Sequence, residues 1–186
     1  MTDITRVALF GKLNPLAYKA IEGATVFCKL RGNPYVELAH WMNQILLLPD
    51  SDLHHIVREF GLDPSRLARD LTQALDQLPR GATSISDLSS HLDEVVERAW
   101  SYASVMFADR RVRVGHLVVG MLKTSSLRLA LFAMSREFEK IKPDVLTERF
   151  AAIVQGSPEQ GMAGEGSSAA PGEASAALAP APLGKQ

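Results

Sequence analysis

The chain contains an internal repeat with a constant offset of 76 residues. Val36–Leu46 matches Val112–Leu122, and each copy begins with valine and carries a histidine, His40 or His116, at the same position. Each half of the chain has the pattern of a long helix, a break, this short histidine-bearing helix and two further helices. The duplication therefore predicts two pseudo-equivalent four-helix units, related by a pseudo-twofold and packed against each other through their apolar faces.

Capping signals place the helices within each unit. Asn14-Pro15 and Asp63-Pro64 combine an N-cap residue with proline at the first helical position, which favours a helix start. Ser86 is the expected cap of a long helix that ends near Ala108. The expected helices cover about 15–31, 36–47, 52–60, 64–78, 87–108, 114–123, 126–134 and 144–154. Alternation at period two is nearly absent, so we expect an all-α fold without a sheet, preceded by a short N-terminal arm or helix.

The composition changes after Gln155. Of the 31 residues from 156 to 186, 22 are Ala, Gly, Pro or Ser, and no aromatic residue is present. Such a segment buries too little apolar surface to offset the entropy of ordering. We therefore expect a helical domain at 1–155, with repeats at about 10–80 and 86–155. Residues 156–186 are expected to form a disordered, flexible linker, which suggests that the chain is the front end of a longer protein.

Charge and composition exclude several classes of protein. The formal net charge is −1, whereas nucleic-acid-binding domains usually carry a strongly basic patch. No apolar run approaches the roughly 18–20 residues of a membrane span, and the N-terminus lacks a signal-peptide pattern. The single cysteine, Cys28, excludes an intrachain disulfide and a cysteine-cluster zinc site. We expect a cytoplasmic protein that binds neither nucleic acid nor membranes.

The two repeated histidines have a functional and a structural interpretation. As a functional pair, His40 and His116 would be metal ligands or a catalytic base. As structural residues, each would hydrogen-bond a backbone group where its short helix begins. Repetition in both halves favours the structural interpretation, because a site is rarely duplicated together with its scaffold. His54 and His55 are adjacent on a helix, so they point about 100° apart and cannot share a metal.

Catalytic motifs are missing from the sequence. Cys28 has no neighbouring base or cation on its own helix face, so a buried structural thiol is favoured over a nucleophile. No Gly-x-Ser-x-Gly elbow occurs. Gly184-Lys185 is followed by Gln186 where a phosphate loop requires Ser or Thr. We therefore expect this fragment to be no enzyme and to hold no metal and no cofactor.

The first long helix is apolar around most of its circumference. One stripe contains Ala17, Ile21, Ala24 and Cys28, and a second contains Leu16, Ala20, Gly23, Phe27 and Leu30. Helices in small bundles usually bury one stripe. The second stripe is either core, covered by the apolar N-terminal arm, or one wall of a surface groove that accepts an incoming helix. The loop at Thr83-Ser84-Ile85 is a candidate for the other wall, and the two interpretations are compatible.

The duplicated histidine helix, the Leu13-Asn14-Pro15-Leu16 opening and the Ala/Gly/Pro-rich tail resemble the N-terminal domain of Clp-type AAA+ unfoldases. The resemblance covers about residues 10–155. Within that family, Leu13–Ala17, Ala20–Glu22, Cys28 and Val36–Trp41 look most like the ClpV branch, the ATPases that serve the type VI secretion system.

The resemblance implies a function in protein recognition. ClpV N-domains recognise a short N-terminal helix of the large contractile-sheath subunit, and the ATPase rings then disassemble contracted sheath. By analogy, the partner-helix groove would lie along the first helix and the start of the second repeat. The residues implied are Leu13, Leu16, Ala20, Gly23, Phe27, Thr83, Ile85 and Leu88.

The resemblance also implies that ATP and Mg²⁺ belong to the parent protein, which would be a hexamer, while the isolated fragment would be a monomer. The alternative within the same fold is a general substrate- or adaptor-binding N-domain of a ClpB- or ClpC-like chaperone. Binding to generic unfolded polypeptides, rather than to one defined helix, would favour that alternative.

Overall fold

Residues 4–162 are described by a computed structural model, and most of them are helical. The first half contains α1 (Arg6–Phe10), α2 (Pro15–Arg31), α3 (Leu38–Leu46), α4 (Asp52–Glu59) and α5 (Pro64–Asp76). The second half contains α6 (Ser90–Ser101), α7 (Val114–Leu122), α8 (Ser125–Met134), α9 (Pro143–Glu148) and α10 (Phe150–Ile153). A π-helical turn at Tyr102–Met106 follows α6, and 3-10 turns cover Arg136–Lys140 and Pro158–Gly161. The helical fold class predicted from the sequence is confirmed.

The expected caps begin the helices of the first half. The Asn14 side chain accepts a hydrogen bond from the backbone N–H of Ala17 at 2.8 Å, and Pro15 is the first residue of α2. The Asp63 side chain accepts from the backbone N–H groups of Ser65 and Arg66 in the same way at the start of α5. These side chains satisfy N–H groups that have no partner inside their own helix.

The two halves pack as equivalent pairs around one core. In the first half α2 packs against α3, and in the second half α6 packs against α7. The halves meet where α4 contacts α7 and where α5 contacts α8. Buried apolar residues from both halves form one continuous cluster. The repeat found in the sequence is therefore a structural repeat.

A short parallel pairing corrects the expectation of a fold without strands. Residues Tyr35–Val36 (β1) pair with residues Asp87–Leu88 (β2), and an isolated bridge joins Leu13 to Val112. In both cases, residues just before the histidine-bearing helix of one half pair with residues just before the long helix of the other half. Two-residue strands are too short to produce a period-two pattern, so the sequence could not reveal them.

The same pairing moves the start of α6. Ser86 was expected to cap this helix, but it lies before β2, and its backbone N–H bonds to the carbonyl of Pro34 at 2.7 Å. The N-cap is Ser89, whose hydroxyl accepts from the N–H of His91 at 3.3 Å. The predicted cap was wrong because serine residues at both positions carry the same local signal.

The N-terminal arm is a helix that packs on the second repeat. Leu9 and Phe10 of α1 are buried, and α1 contacts α6. Arg6 forms ion pairs at 2.8 Å with Asp87 and with Asp93, at the start of the second repeat. The arm therefore connects the first half of the chain to the second through its contacts with α6 and with the residues just before it.

The body extends further than the composition suggested. Residues 156–162 belong to the expected linker, but Ser157 and Glu159 are buried and Pro158–Gly161 forms a 3-10 turn. Low-complexity composition hid the single buried carboxylate in this segment. The rest of the expected linker, 163–186, lies outside the described residues.

Among residues 4–162, no single helix has the length and apolar content needed to cross a bilayer. Helices α7 and α8 reach that composition only as a pair, and a bend of 108° separates them.

Candidate functional site

One side of α2 carries the half-buried part of the expected groove. Leu16, Gly23 and Phe27 are partly exposed along this side. The Phe27 ring meets the His40 ring of α3 edge-on, with 6.2 Å between centroids, and the Arg31 guanidinium lies 5.5 Å from the Phe27 centroid. This side of α2 borders α3 and faces solvent beyond it.

Gly23 allows the side chain of Gln44 to lie close against α2. A Cβ atom at Gly23 would lie 2.9 Å from Oε1 of Gln44. A larger residue at this position would have to displace the glutamine side chain, so the glycine shapes the border between α2 and α3.

Next to this border, two apolar side chains of α2 are exposed to solvent. Val26 is 60% exposed and Leu30 is 80% exposed. They are four residues apart, so they are neighbours on one helix face. Leu30 was part of the second stripe in the sequence, but Val26 was not assigned to either stripe. We call Leu16, Gly23, Val26, Phe27 and Leu30 the α2 strip.

The other expected groove residues are distributed differently. Leu13, Ala20, Ile85 and Leu88 belong to the buried core, and only Thr83 of the remaining set is exposed. The loop that carries Thr83 lies at the C-terminal end of α2, where the N–H of Ala82 bonds to the carbonyl of Gly32 at 2.9 Å. Leu13 precedes the opposite end of the same helix. Four of the eight residues are therefore buried, and the other four are partly or fully exposed.

The second stripe of α2 is divided between core and surface. Ala20 is core, and the α1 arm packs on α6. Leu16, Gly23, Phe27 and Leu30 reach the surface to different extents. The stripe is therefore part core and part surface, and the arm that was expected to cover it packs on α6 instead.

A cleft that the sequence did not indicate lies at the N-terminus of α3. Its volume is about 380 Å³. Leu38 and Ala39 of α3, Ala74 of α5, and Ala130 and Met134 of α8 line it. The small side chains leave space between the two repeats at this point.

The equivalent position at the N-terminus of α7 is filled. Arg113 forms a two-point ion pair with the buried Asp52, with N–O distances of 2.7 and 2.8 Å. The backbone N–H of Gly115 donates to the same carboxylate at 3.0 Å. The Phe150 ring packs so closely that a Cβ at Gly115 would lie 2.6 Å from it.

The buried network at α7 was missed in the sequence. Arg113 lies 76 residues after Glu37, so the repeat reverses the charge at this position. That reversal was the available signal, because a charge in only one copy points to a partner present in only one copy.

The repeated histidines are structural, as their repetition predicted. Nδ1 of His40 accepts from the backbone N–H of Glu37 at 2.8 Å, and Nδ1 of His116 accepts from that of Arg113 at 3.1 Å. The other nitrogen of His40 lies 2.9 Å from Oδ1 of Asn33. Burial, with a smaller contribution from the charge of Arg31, lowers the pKa of His40 to about 4. The ring is therefore neutral at physiological pH.

Cys28 is also structural. Its thiol is buried and lies 3.3 Å from the carbonyl oxygens of Asn33 and Tyr35. Burial raises its pKa to about 12, so the thiolate that a nucleophile needs is absent at neutral pH. Within residues 4–162, no group of three or more His, Cys, Asp or Glu side chains is arranged to hold a metal ion.

Comparison with known proteins identifies the family. The model of the Clp repeat N-terminal domain matches residues 12–134. The chain belongs to the Clp N-terminal domain family. This Clp N-terminal domain is 66% identical to the AAA+ ATPase ClpV1 of Pseudomonas aeruginosa, over the whole chain and 21% of that protein. It is 51% identical to a chaperone protein ClpB of Yersinia enterocolitica, over 94% of the chain and 20% of that protein. The domain thus spans about a fifth of these relatives.

Two solved structures share the fold. One comes from work on the coevolution of the ATPase ClpV with the TssB–TssC sheath. It is 68% identical, with a TM-score of 0.84 over 86% of this chain and 99% of the other. The second is a complex of a ClpV N-domain with a VipB peptide, 27% identical, with a TM-score of 0.74 over 86% of this chain and 99% of that one. This Clp N-terminal domain therefore shares its fold with a ClpV N-domain that was solved with a bound peptide.

Proposed function

We propose that this Clp N-terminal domain is the substrate-recognition domain of a type VI secretion ATPase. It binds a short N-terminal helix of the large contractile-sheath subunit. The observation that carries the proposal is the 66% identity to ClpV1 over the whole chain. The complex of a related N-domain with a VipB peptide supports a peptide as the ligand.

The α2 strip is the surface we assign to this peptide. Val26 and Leu30 provide solvent-exposed apolar surface, and Gly23 has no side chain that would project at the border with α3. An amphipathic helix binds such a surface by laying its apolar face into it. Thr83, exposed at the C-terminal end of α2, lies where a bound helix would leave the strip.

The affinity of one site is expected to be weak. A single docked helix buries at most about 1,200 Å², the low end of specific interfaces, which suits a dissociation constant on the order of micromolar. In the whole protein, ATP- and Mg²⁺-dependent rings would carry several such domains. Several domains that engage a polymer with many copies of the helix would gain avidity without new contacts.

The second candidate is a general substrate- or adaptor-binding domain of a ClpB-like chaperone. The 51% identity to a ClpB chaperone favours it. The two candidates differ in their ligand, since the general chaperone would bind unfolded polypeptides without preference for one helix.

A fluorescence anisotropy titration separates the two candidates. The complete chain is titrated into labelled N-terminal peptides of the large sheath subunit, a scrambled peptide and an unfolded model protein. We expect saturable binding to the sheath peptide alone. Binding to the unfolded protein with equal affinity would support the chaperone function instead.

A matched pair of variants tests the surface. Leu30→Arg places a charge on the α2 strip and should weaken peptide binding by about 10-fold or more. Leu129→Arg changes a comparably exposed leucine of α8 and should leave binding unchanged. Equal affinities for both variants would remove the α2 strip from the binding site.

A further inference from the structure

The carboxylate of Glu159 joins three helices to the C-terminal end of the described chain. Oε1 accepts from Nδ2 of Asn14 at 2.9 Å and from the backbone N–H of Val114 at 2.8 Å. Oε2 accepts from the backbone N–H of Asp52 at 2.7 Å. Glu159 is completely buried. Asn14 caps α2, Asp52 begins α4 and Val114 begins α7, so one side chain contacts three helix N-termini.

This side chain is the polar anchor of its segment. Within residues 156–162 the other side-chain hydrogen bonds stay local: the Ser157 hydroxyl accepts from the N–H of Glu159, and Gln160 accepts from the N–H of Gly156. Among the described residues of this segment, only Glu159 has a side chain that is hydrogen-bonded to the helical body. Loss of its contacts would therefore leave the segment without side-chain hydrogen bonds to the body.

The surroundings of Glu159 contain more negative than positive charge. Asp52 from α4 is buried beside it, and Arg113, which precedes α7, pairs with Asp52. His55 of α4 lies near Gly156 at the start of the segment, and His116 one turn into α7 approaches Asp109 at 3.1 Å. Two buried carboxylates thus lie close together, and the guanidinium beside them pairs with Asp52. The three donors that Glu159 receives offset this repulsion only in part.

We propose that residues 156–162 form a releasable strap, which Glu159 holds against the N-termini of α2, α4 and α7. In the docked state the strap shortens the path from the body to the residues after Met162. In the released state its seven residues become part of that connection. Fully extended, they span about 24 Å. Release therefore increases the distance over which the body can move relative to the chain beyond Met162.

The charge balance gives the direction in which pH acts. Burial first, and then the charge of Asp52, raise the pKa of docked Glu159 to about 7. A released, hydrated glutamate has an ordinary pKa near 4.5. The docked state therefore binds the proton more tightly, and docking weakens as pH rises from about 4.5 to about 7. Between pH 5.5 and 7.5 linkage predicts a decrease of about 20-fold in the docking constant.

Amide hydrogen exchange measured by NMR on the complete chain tests the strap directly. The amides of Asp52 and Val114 donate to Glu159, whereas the neighbouring amide of Gly115 donates to Asp52. Gly115 is therefore an internal control at the same helix terminus. After correction for intrinsic exchange rates, we expect the protection of Asp52 and Val114 to fall by about 20-fold from pH 5.5 to 7.5, with Gly115 changing far less.

Two variants separate the strap from general stability. Glu159→Gln replaces the titratable carboxyl group with a neutral amide, and should make the protection of Asp52 and Val114 independent of pH. Glu148→Gln changes an exposed glutamate of α9 and should behave as the parent chain. Equal changes at Asp52, Val114 and Gly115, or the parent pH dependence in Glu159→Gln, would overturn the proposal. The pH series on the parent chain keeps the test decisive if a variant is unstable.

Discussion

The N-termini of α3 and α7 occupy equivalent places in the two repeats, yet their surroundings differ. Each is capped by a histidine whose Nδ1 accepts from the backbone three residues earlier. At α3 a cleft of about 380 Å³ remains open. At α7 the Phe150 ring, the Asp52–Arg113 pair and the carboxylate of Glu159 occupy the corresponding space.

The comparison shows which features the two repeats share and which belong to only one of them. The histidine is retained in both copies because each short helix needs a partner for the N–H group at its start. The packing around it has diverged, with Ala74 in one half at the position that Phe150 takes in the other. We call the filled N-terminus of α7 the closed side and the N-terminus of α3, where the cleft remains, the open side. The segment that leads out of the body is held on the closed side.

The largest effect is expected at the charge reversal between the repeats. Arg113→Ala leaves Asp52 buried beside Glu159 without its cation, which should cost about 3–5 kcal/mol of the free energy of unfolding. Glu37→Ala changes the equivalent, half-buried residue at α3 and should cost less than about 1 kcal/mol. Urea denaturation monitored by circular dichroism measures both. Similar losses for the two variants would mean that the repeats are not asymmetric at this position.

The aromatic filling of the closed side gives the next largest effect. The Phe150 ring lies 4.6 Å from Phe107 and 5.1 Å from His116, centroid to centroid. Phe150→Ala should open a cavity at α7 and cost about 3–4 kcal/mol. The same denaturation experiment checks this value. A loss below about 1 kcal/mol would show that the second repeat tolerates a cleft like that of the first.

The histidine of the open side should make stability depend on pH. The folded-state pKa of His40, about 4, lies below the ordinary value of 6.5, so the unfolded chain binds the proton more tightly. The contribution of neutral His40 is complete above pH 6.5 and is lost as pH falls towards 4. Its full size is roughly 3 kcal/mol.

His40→Gln isolates this contribution. The difference in unfolding free energy between the parent chain and the variant should shrink as pH decreases from about 7 to about 4, measured in urea at each pH. A difference that stays constant over this range contradicts a neutral, buried imidazole at the start of α3.

The smallest effect is expected when the open side is made to resemble the closed one. Ala74→Phe introduces the residue of the equivalent position into the cleft lined by Leu38 and Met134. Since the space is already empty, the change in unfolding free energy should stay within about 1 kcal/mol. Thermal denaturation is sufficient to detect it. A loss of several kcal/mol would indicate that the cleft cannot accept a ring.

Features encoded by local sequence patterns could be predicted. The caps at Asn14 and Asp63, the structural role of the repeated histidines and the buried thiol of Cys28 all depend on nearby residues, and the structure agrees with them. The two-fold duplication was visible because the repeat keeps a constant offset.

Features that depend on contacts between distant segments could not be predicted. The pairing of β1 with β2 involves two residues on each side, and Glu159 meets Asn14 across 145 positions of sequence. The groove residues implied by family resemblance mixed surface and core: Ala20 is buried although it shares its stripe with the exposed Leu30, and Leu88 is buried in β2. Val26 was missed because it lies four residues after Glu22 and three before Lys29, on the polar face of the helix.

We propose that the α2 strip recognises the sheath peptide. The direct measurement is an NMR titration of the isotope-labelled complete chain with the N-terminal peptide of the large sheath subunit. We expect saturable shifts of the amide signals of Gly23, Phe27, Leu30 and Thr83, with little change at Gly115. Shifts confined to Leu38, Ala39 and His91 at the open cleft, or no shifts at all, would contradict it.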